Sequence, residues 1–336
     1  MRLATYNVEW FNSLFNDKGE LLDDGAWSGR YDITRSDQIA ALGHVFRSLD
    51  ADAVMVIEAP DFSRHRNGVE ALERFAAHFD LRAREALMGI SNDTQQEIML
   101  LYDPEALKVR HDPVGAVDAP RFDGVLGVDI DVDTTLDPIR WSKPPLEISA
   151  ETAAGTVFRM IGVHAKSKAP HGARSKKEEN RIAIENRRKQ LAQCIWLRRR
   201  VLDHLTRGDK LIVLGDFNDG PGLDEYERLF GHSGVEIVLG VAYETESQLF
   251  DPHAEQALQR KLGVQPGTAR FFNQSTGRYI SALLDYIMVS PDLAELNGKW
   301  RIWHPFDDPE CWSDVAMREA LMIASDHYPV TLDIDL

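Results

Sequence analysis

Leu211-Ile212-Val213-Leu214-Gly215-Asp216-Phe217-Asn218-Asp219-Gly220 holds a strand and a turn in ten residues. Four consecutive aliphatic residues bounded by charge and glycine read as a short strand buried on both faces. The strand feeds directly into Asp216 and Asn218. Asp, Asn and Gly all favour turns, so this segment alone reads first as a strand end followed by a turn. The same juxtaposition recurs along the chain. Asn7 and Glu9 close the run Arg2–Val8, Glu58 follows Ala53–Ile57, and His164 and Lys166 follow Val157–Val163. Asp285, Asp326 and His327 stand instead just before the runs Tyr286–Val289 and Tyr328–Leu336. If these groups meet at one site, some strands run opposite to others. A parallel barrel or a doubly wound parallel sheet places its site at one kind of strand end only. Two packed mixed β-sheets flanked by helices satisfy the geometry.

Ile98–Tyr102 is a further strand-length run, and helical periodicity fills several of the gaps. Ile39, Leu42, Val45, Phe46 and Leu49 follow the N-cap candidate Ser36. Val69, Leu72, Phe75 and Phe79 mark a second helix. A long one is expected from Lys176 to Leu205, with Ile182, Leu191, Ile195, Val201 and Leu205 toward a core. Two loop-rich segments, Asn12–Asp32 and Asp112–Lys143, interrupt this order without isolating a self-sufficient block. One domain over residues 1–336 is therefore expected, and a 43% apolar composition suffices for a large core. Cys194 and Cys311 lack zinc-ligand spacing and read as buried thiols. No window approaches the roughly 18 uncharged apolar residues of a membrane helix. With no signal-peptide pattern at Met1–Asn7, a cytoplasmic protein is expected.

The net charge of −16 opposes indiscriminate binding to nucleic acid or anionic lipid. Residues 166–200 nevertheless carry twelve Lys/Arg against three Glu. That segment reads either as a solvated helix face or as a basic wall for a phosphate-bearing substrate, placed directly after His164.

Singly, each polar strand end is an ordinary feature. In order, Tyr6-Asn7-Val8-Glu9, Ile57-Glu58, His164-Ala165-Lys166-Ser167, Gly215-Asp216-Phe217-Asn218, Leu284-Asp285-Tyr286-Ile287 and Ser325-Asp326-His327 resemble the motifs of the endonuclease/exonuclease/phosphatase superfamily, the DNase I-like fold. The resemblance implies a four-layered α/β sandwich that cleaves phosphate esters with Mg²⁺ or Mn²⁺. Glu58 matches the family's metal-binding glutamate, with Glu9 and Asp326 as direct or water-mediated ligands and Asn7 orienting that shell. Asp216 matches the residue that positions or deprotonates the attacking water, and Asn218 holds a phosphate oxygen or orients Asp216. His327 paired with Asp285 would meet the scissile phosphate as an imidazolium. His164 matches a second phosphate-binding position, and Lys166 lies on the same side of an extended strand. The carboxylate partner of His164 stays open between Glu97 and a substitution by Gln96. Lys143, in Trp141-Ser142-Lys143-Pro144-Pro145-Leu146, is a further phosphate-contact candidate.

Other residues carry plainer readings. His44, His78 and His204 belong to helices as surface or capping residues, and His65 and His171 lie in basic loops. Most of the seven tryptophans are core candidates, while Trp10 and Phe11 offer either stacking on a base or packing under a loop. Phe271-Phe272-Asn273 only loosely resembles the aromatic stretch of abasic-site endonucleases and identifies no such enzyme. Asp307–Met322 reads as an extra helix. The leading expectation is a nuclease acting on DNA or RNA. The alternative is a phosphatase or phosphodiesterase for a small molecule or lipid headgroup. A catalytically inactive binding protein would lack one of Glu58, Asp216, Asn218 or His327, and none is missing. Loops 12–32, 112–143 and 243–277 would select the substrate.

Overall fold

The computed structural model describes residues 1–129, 136–169, 172, 175–221, 231–241, 247–259, 265–273 and 277–336. Its strands, in chain order, are β1 (Arg2–Asn7), β2 (Ala53–Ala59), β3 (Glu85–Met88), β4 (Glu97–Tyr102), β5 (Leu107–His111), β6 (Leu126–Val128), β7 (Asp137–Ile139) and β8 (Leu146–Thr152). They continue with β9 (Val157–His164), β10 (Leu211–Asp216), β11 (Ala269–Asn273), β12 (Arg278–Ala282), β13 (Asp285–Val289), β14 (Lys299–Ile302) and β15 (Val330–Asp333). One sheet has the order β14-β15-β1-β2-β4-β3 and the other β13-β10-β9-β8-β5. Within them β1 runs parallel to β2 and β10 parallel to β9, while all other neighbours are antiparallel. Both sheets are mixed, as the polar strand ends require.

The aliphatic runs follow from burial on both faces. Successive side chains of a strand point to opposite sides. Met55 and Ile57 therefore face the second sheet together with Ile98, Met160, Ile212, Leu214 and Ile287. Val54 and Val56 turn outward against α1 (Arg35–Leu49) and α2 (Gly68–His78), meeting Leu42, Val45, Phe46, Leu72 and Phe75. On the far side, Ile161, Val163 and Val213 pack against Leu191, Cys194, Leu197 and Val201 of α3 (Lys176–Thr206). Helix, sheet, sheet and helix make four layers.

Several expectations need correction. Thr34 rather than Ser36 caps α1, its Oγ1 accepting from the Asp37 amide at 3.1 Å. The extra helix before the last motif is two short ones, Pro309–Ser313 and Val315–Ala324, because Asp314 caps the second by accepting from Met317 N at 3.1 Å. The basic wall fails for three of its arginines. Arg187, Arg198 and Arg200 are buried. Arg187 donates to Asp219 at 2.7 Å, and Arg200 lies 3.0 Å from Glu147 on β8. Lys176 and Lys177 remain exposed. His204 is buried against Asp209 at 2.8 Å instead of lying at the surface. Trp141, Trp196 and Trp303 are core residues, whereas Trp10, Trp27 and Trp312 are exposed. Phe11 packs in the core. Both cysteines are free and buried. His171 and part of loop 243–277 lie outside the described residues. Among the described residues, no helix is long and apolar enough to cross a membrane.

Candidate active site

Register brings the polar strand ends together. Asp216 at the end of β10 lies opposite His164 on β9 and Asp285 on β13. Asn7 at the end of β1 lies opposite Ile57, next to Glu58. Two backbone irregularities aim the carboxylates. Glu58 has φ +61°, and the pairing of β2 with β4 slips there, so that Ile57 opposes Ile98 and Ala59 opposes Glu97. Such a bulge turns a side chain out of the regular pleat. Gly215, with φ +136°, places its α-carbon so close to β9 that a β-carbon would sit 2.1 Å from the Val163 carbonyl oxygen. Only glycine allows β10 to approach β9 immediately before Asp216.

Asp216 is buried and saturated with donors. Its Oδ2 accepts from Asn7 Nδ2 at 2.9 Å and Asn218 Nδ2 at 3.0 Å, and its Oδ1 from the Asn218 amide at 2.7 Å. Asn218 adopts φ +49° in the turn and also reaches the Ala165 carbonyl at 3.1 Å. Burial pushes the Asp216 carboxyl up to about 6. Beside Asp216, Nδ1 of His327 is 2.7 Å from Oδ2 of Asp285, which also accepts from Thr268 Oγ1 at 2.8 Å. Burial alone would lower the His327 pKa. The Asp285 charge and hydrogen bond, with Asp216 and Asp326, outweigh it and hold His327 well above its ordinary value. His327 is therefore an imidazolium.

His164 takes the opposite state. Burial, the Lys143 ammonium and the His327 charge drive its pKa well down, leaving a neutral ring. Lys143 Nζ lies 2.9 Å from its Nε2, and burial lowers that lysine to about 8. The carboxylates that face His164 Nε2 are Glu58 at 3.8 Å and Asp216 at 3.7 Å. Glu97 instead accepts from Asn92 Nδ2 at 2.7 Å, and Gln96 meets the same amide through its carbonyl at 3.1 Å. Lys166 is half-buried beside this group, its amide held by Gln193 Oε1 at 2.8 Å.

Glu9 and Glu58 are each raised to about 7, chiefly by burial, with the Asp326 charge adding to it. Arg30 and Lys143 oppose the shift without cancelling it. Hard carboxylate oxygens short of positive charge suit a divalent cation such as Mg²⁺. The donor atoms that come within 4.8 Å of one another, among the described residues, belong to another set, Asp216, Asp285 and His327. In that set Nδ1 of His327 is taken up by Asp285, which makes it a charge-paired array. Glu58, Glu9 and Asp326 do not close to that distance. Sequence reasoning missed three residues. Ser325 Oγ donates to the Asn7 carbonyl at 2.8 Å and accepts from the Glu9 amide at 3.0 Å, tying the first motif to the last. Thr268 holds Asp285, and Arg30 pairs with Glu9. Ser325 stands inside a quoted motif, whereas Thr268 and Arg30 carry no sequence signal.

A carboxylate and imidazolium array between two mixed sheets defines a metal-dependent phosphoester hydrolase. The sequence profile of the Endonuclease/Exonuclease/phosphatase family matches residues 4–327, and the chain belongs to that family. No curated protein sequence matches it significantly. Among solved structures it is similar to TDP2 from C. elegans, with a TM-score of 0.54 at 12% identity, covering 100% of this chain and 75% of that one. It is also similar to the 3'-5' exonuclease NExo from Neisseria meningitidis, with a TM-score of 0.50 at 16% identity over 100% of both chains. The 3' phosphatase form of NExo bound to a product DNA hairpin gives 0.51 at 16% identity, again over 100% of both. At these identities the likeness is one of fold.

Proposed function

We propose that residues 1–336 form one catalytic domain that hydrolyses phosphodiester bonds of DNA or RNA with Mg²⁺ or Mn²⁺. The observation that carries this reading is the cluster at the centre of the site, where donor atoms of Asp216, Asp285 and His327 lie within 4.8 Å of one another. Asp216 is held by Asn7 and Asn218, and His327 by Asp285. Asp216, with a carboxyl near 6, is ionised at neutral pH and takes the proton of the attacking water. Asn218 and Asn7 fix its orientation. His327 donates to the phosphate oxygen on which charge develops. Neutral His164 offers a hydrogen bond to a second oxygen, and Lys143 and Lys166 add positive charge beside it. Glu58 would hold the metal ion, with Glu9 and Asp326 directly or through water and Asn7 orienting that shell. An ion held there would supply Lewis-acid charge to the phosphate.

Exposed aromatic side chains support a nucleic-acid substrate. Trp10 is 51% exposed beside Glu9. Phe272 and Tyr279 are exposed on the β11–β12 hairpin, which joins His327 through its Ala269 bridge. Bases stack on such aromatic faces. The inward arginines of α3 favour the second reading, a phosphatase or phosphodiesterase for a small molecule or lipid headgroup. Metal-stripped protein given Mg²⁺, Mn²⁺ or EDTA separates them on single- and double-stranded oligonucleotides, bis-p-nitrophenyl phosphate and p-nitrophenyl phosphate. Metal-dependent oligonucleotide cleavage, lowered at least about a hundredfold by Asp216→Asn, is expected. Turnover of the small esters alone would move the assignment to the second reading.

A further inference from the structure

An unbroken row of ring and guanidinium contacts leads away from the strand-end site. It starts on the β11–β12 hairpin, where Ala269 bridges to His327 and the Arg270 amide donates to the Asp326 carbonyl at 2.7 Å. Residues two apart on a strand share a face, so Arg270 and Phe272 stand together, with Tyr279 paired opposite Phe272. The Phe272 and Tyr279 ring centroids are 5.4 Å apart. The Arg270 guanidinium lies 4.4 Å from the Tyr279 ring centroid and 5.2 Å from that of Phe306. Phe306 follows β14, and its ring is 6.3 Å from that of Trp312 on the short helix Pro309–Ser313. Arg318 closes the row, 4.7 Å over Trp312 and donating to its carbonyl at 2.7 Å. All four rings are exposed, Tyr279 the most at 60%. Among the described residues neither Arg270 nor Arg318 has a carboxylate partner, whereas Arg301 nearby is taken up by Asp308 and Glu310.

We propose that this row is a track for unpaired nucleotides of the substrate strand, and that the enzyme acts on single-stranded nucleic acid. Rings free in solvent offer a π-face to any base, and such stacking tolerates sequence. A paired base has both faces covered within its helix, so only an unpaired one can use them. A guanidinium stacked on a ring stays charged and keeps donors for phosphate oxygens. The alternation of ring and cation therefore matches a strand that alternates base and phosphate. The net charge of −16 opposes the broad phosphate contact that holds a duplex.

The inference rests on the nucleic-acid reading above, and binding of labelled oligothymidylate in EDTA tests the two separately. Fluorescence anisotropy compares strands of about two and about twelve nucleotides with a duplex of the longer length. The wild type should hold the longer strand at least about tenfold tighter than either of the others. Trp312→Ala and Tyr279→Ala should each weaken that binding about tenfold, while Trp312→Phe, which keeps a ring, should retain it. Arg270→Gln should lower the slope of log affinity against log salt by about 0.7. Thermal melting shows that each variant is folded. Longer-strand binding unchanged in folded Trp312→Ala and Tyr279→Ala would overturn the track and leave the nucleic-acid reading in place. So would a duplex held as tightly as the strand. Dimerisation of the chain that is lost in Trp312→Ala, with strand binding intact, would assign the row to a second copy instead. No binding in EDTA and no cleavage with Mg²⁺ for any oligonucleotide would overturn the nucleic-acid reading, and the track with it.

Discussion

Asp216, Glu58 and Glu9 are carboxyls held above their ordinary values by burial, at about 6, 7 and 7. Their raised folded-state pKa values fix the sign of a stability change. A carboxyl that is more basic in the folded chain contributes stability that is full below its unfolded pKa and is lost as pH rises through the folded value. His327, raised by Asp285, has the same sign at higher pH. The window for the carboxyls runs from their ordinary values of 3.8 and 4.5 to about 7. Protein kept in EDTA should therefore melt at a lower temperature at about pH 8 than at about pH 5. Mg²⁺, which pairs with ionised carboxylates, should restore more of the melting temperature at the higher pH. Differential scanning calorimetry at both pH values checks this. A melting temperature that rises over that range in EDTA, or a Mg²⁺ effect larger at about pH 5, would contradict the crowding of these groups.

At the scale of elements, α3 shows why a local charge balance misleads. Its basic residues divide between an outer face and a buried one. Arg187 shares the Asp219 carboxylate with Lys168, Gln190 and the Gly234 amide. Arg187→Ala leaves that carboxylate short of a buried partner and should cost about 3–5 kcal/mol. Urea unfolding measures the cost, and the salt dependence of substrate binding should stay unchanged in the same variant. A flattened salt slope would return Arg187 to the substrate groove. The same buried charges keep β8 from showing as an apolar run, although its entry at Trp141–Leu146 resembles the family's. β8 places Glu147 and Ser149 among its apolar residues, and Glu147 is tolerated there because Arg200 reaches it from α3. The outer strands β5 and β14 carry exposed Lys108, Arg110 and Lys299, which blur an alternating pattern. Central strands such as β2 and β10 were legible because both of their faces are covered.

Across the whole molecule, the site is legible where chemistry sits at strand ends and illegible where it depends on the path of a loop. Asn7, His164 and Asp216 end apolar runs and Asp285 precedes one, and opposed ends that meet at one site require mixed sheets. The bulge that turns Glu58 and the ion pair of Arg30 with Glu9 are announced by no residue type. Thr268 is a threonine like any other until Asp285 is placed beside it. The central claim is that residues from both sheets act as one metal-dependent unit. Turnover of bis-p-nitrophenyl phosphate by Glu58→Gln, by Asp216→Asn and by the combined variant tests it most directly. Groups that act as a unit lose their effect together, so each single change should lower turnover at least about a hundredfold and the combination little further. Near-normal turnover in either single variant, or losses that multiply in the combined one, would contradict the account.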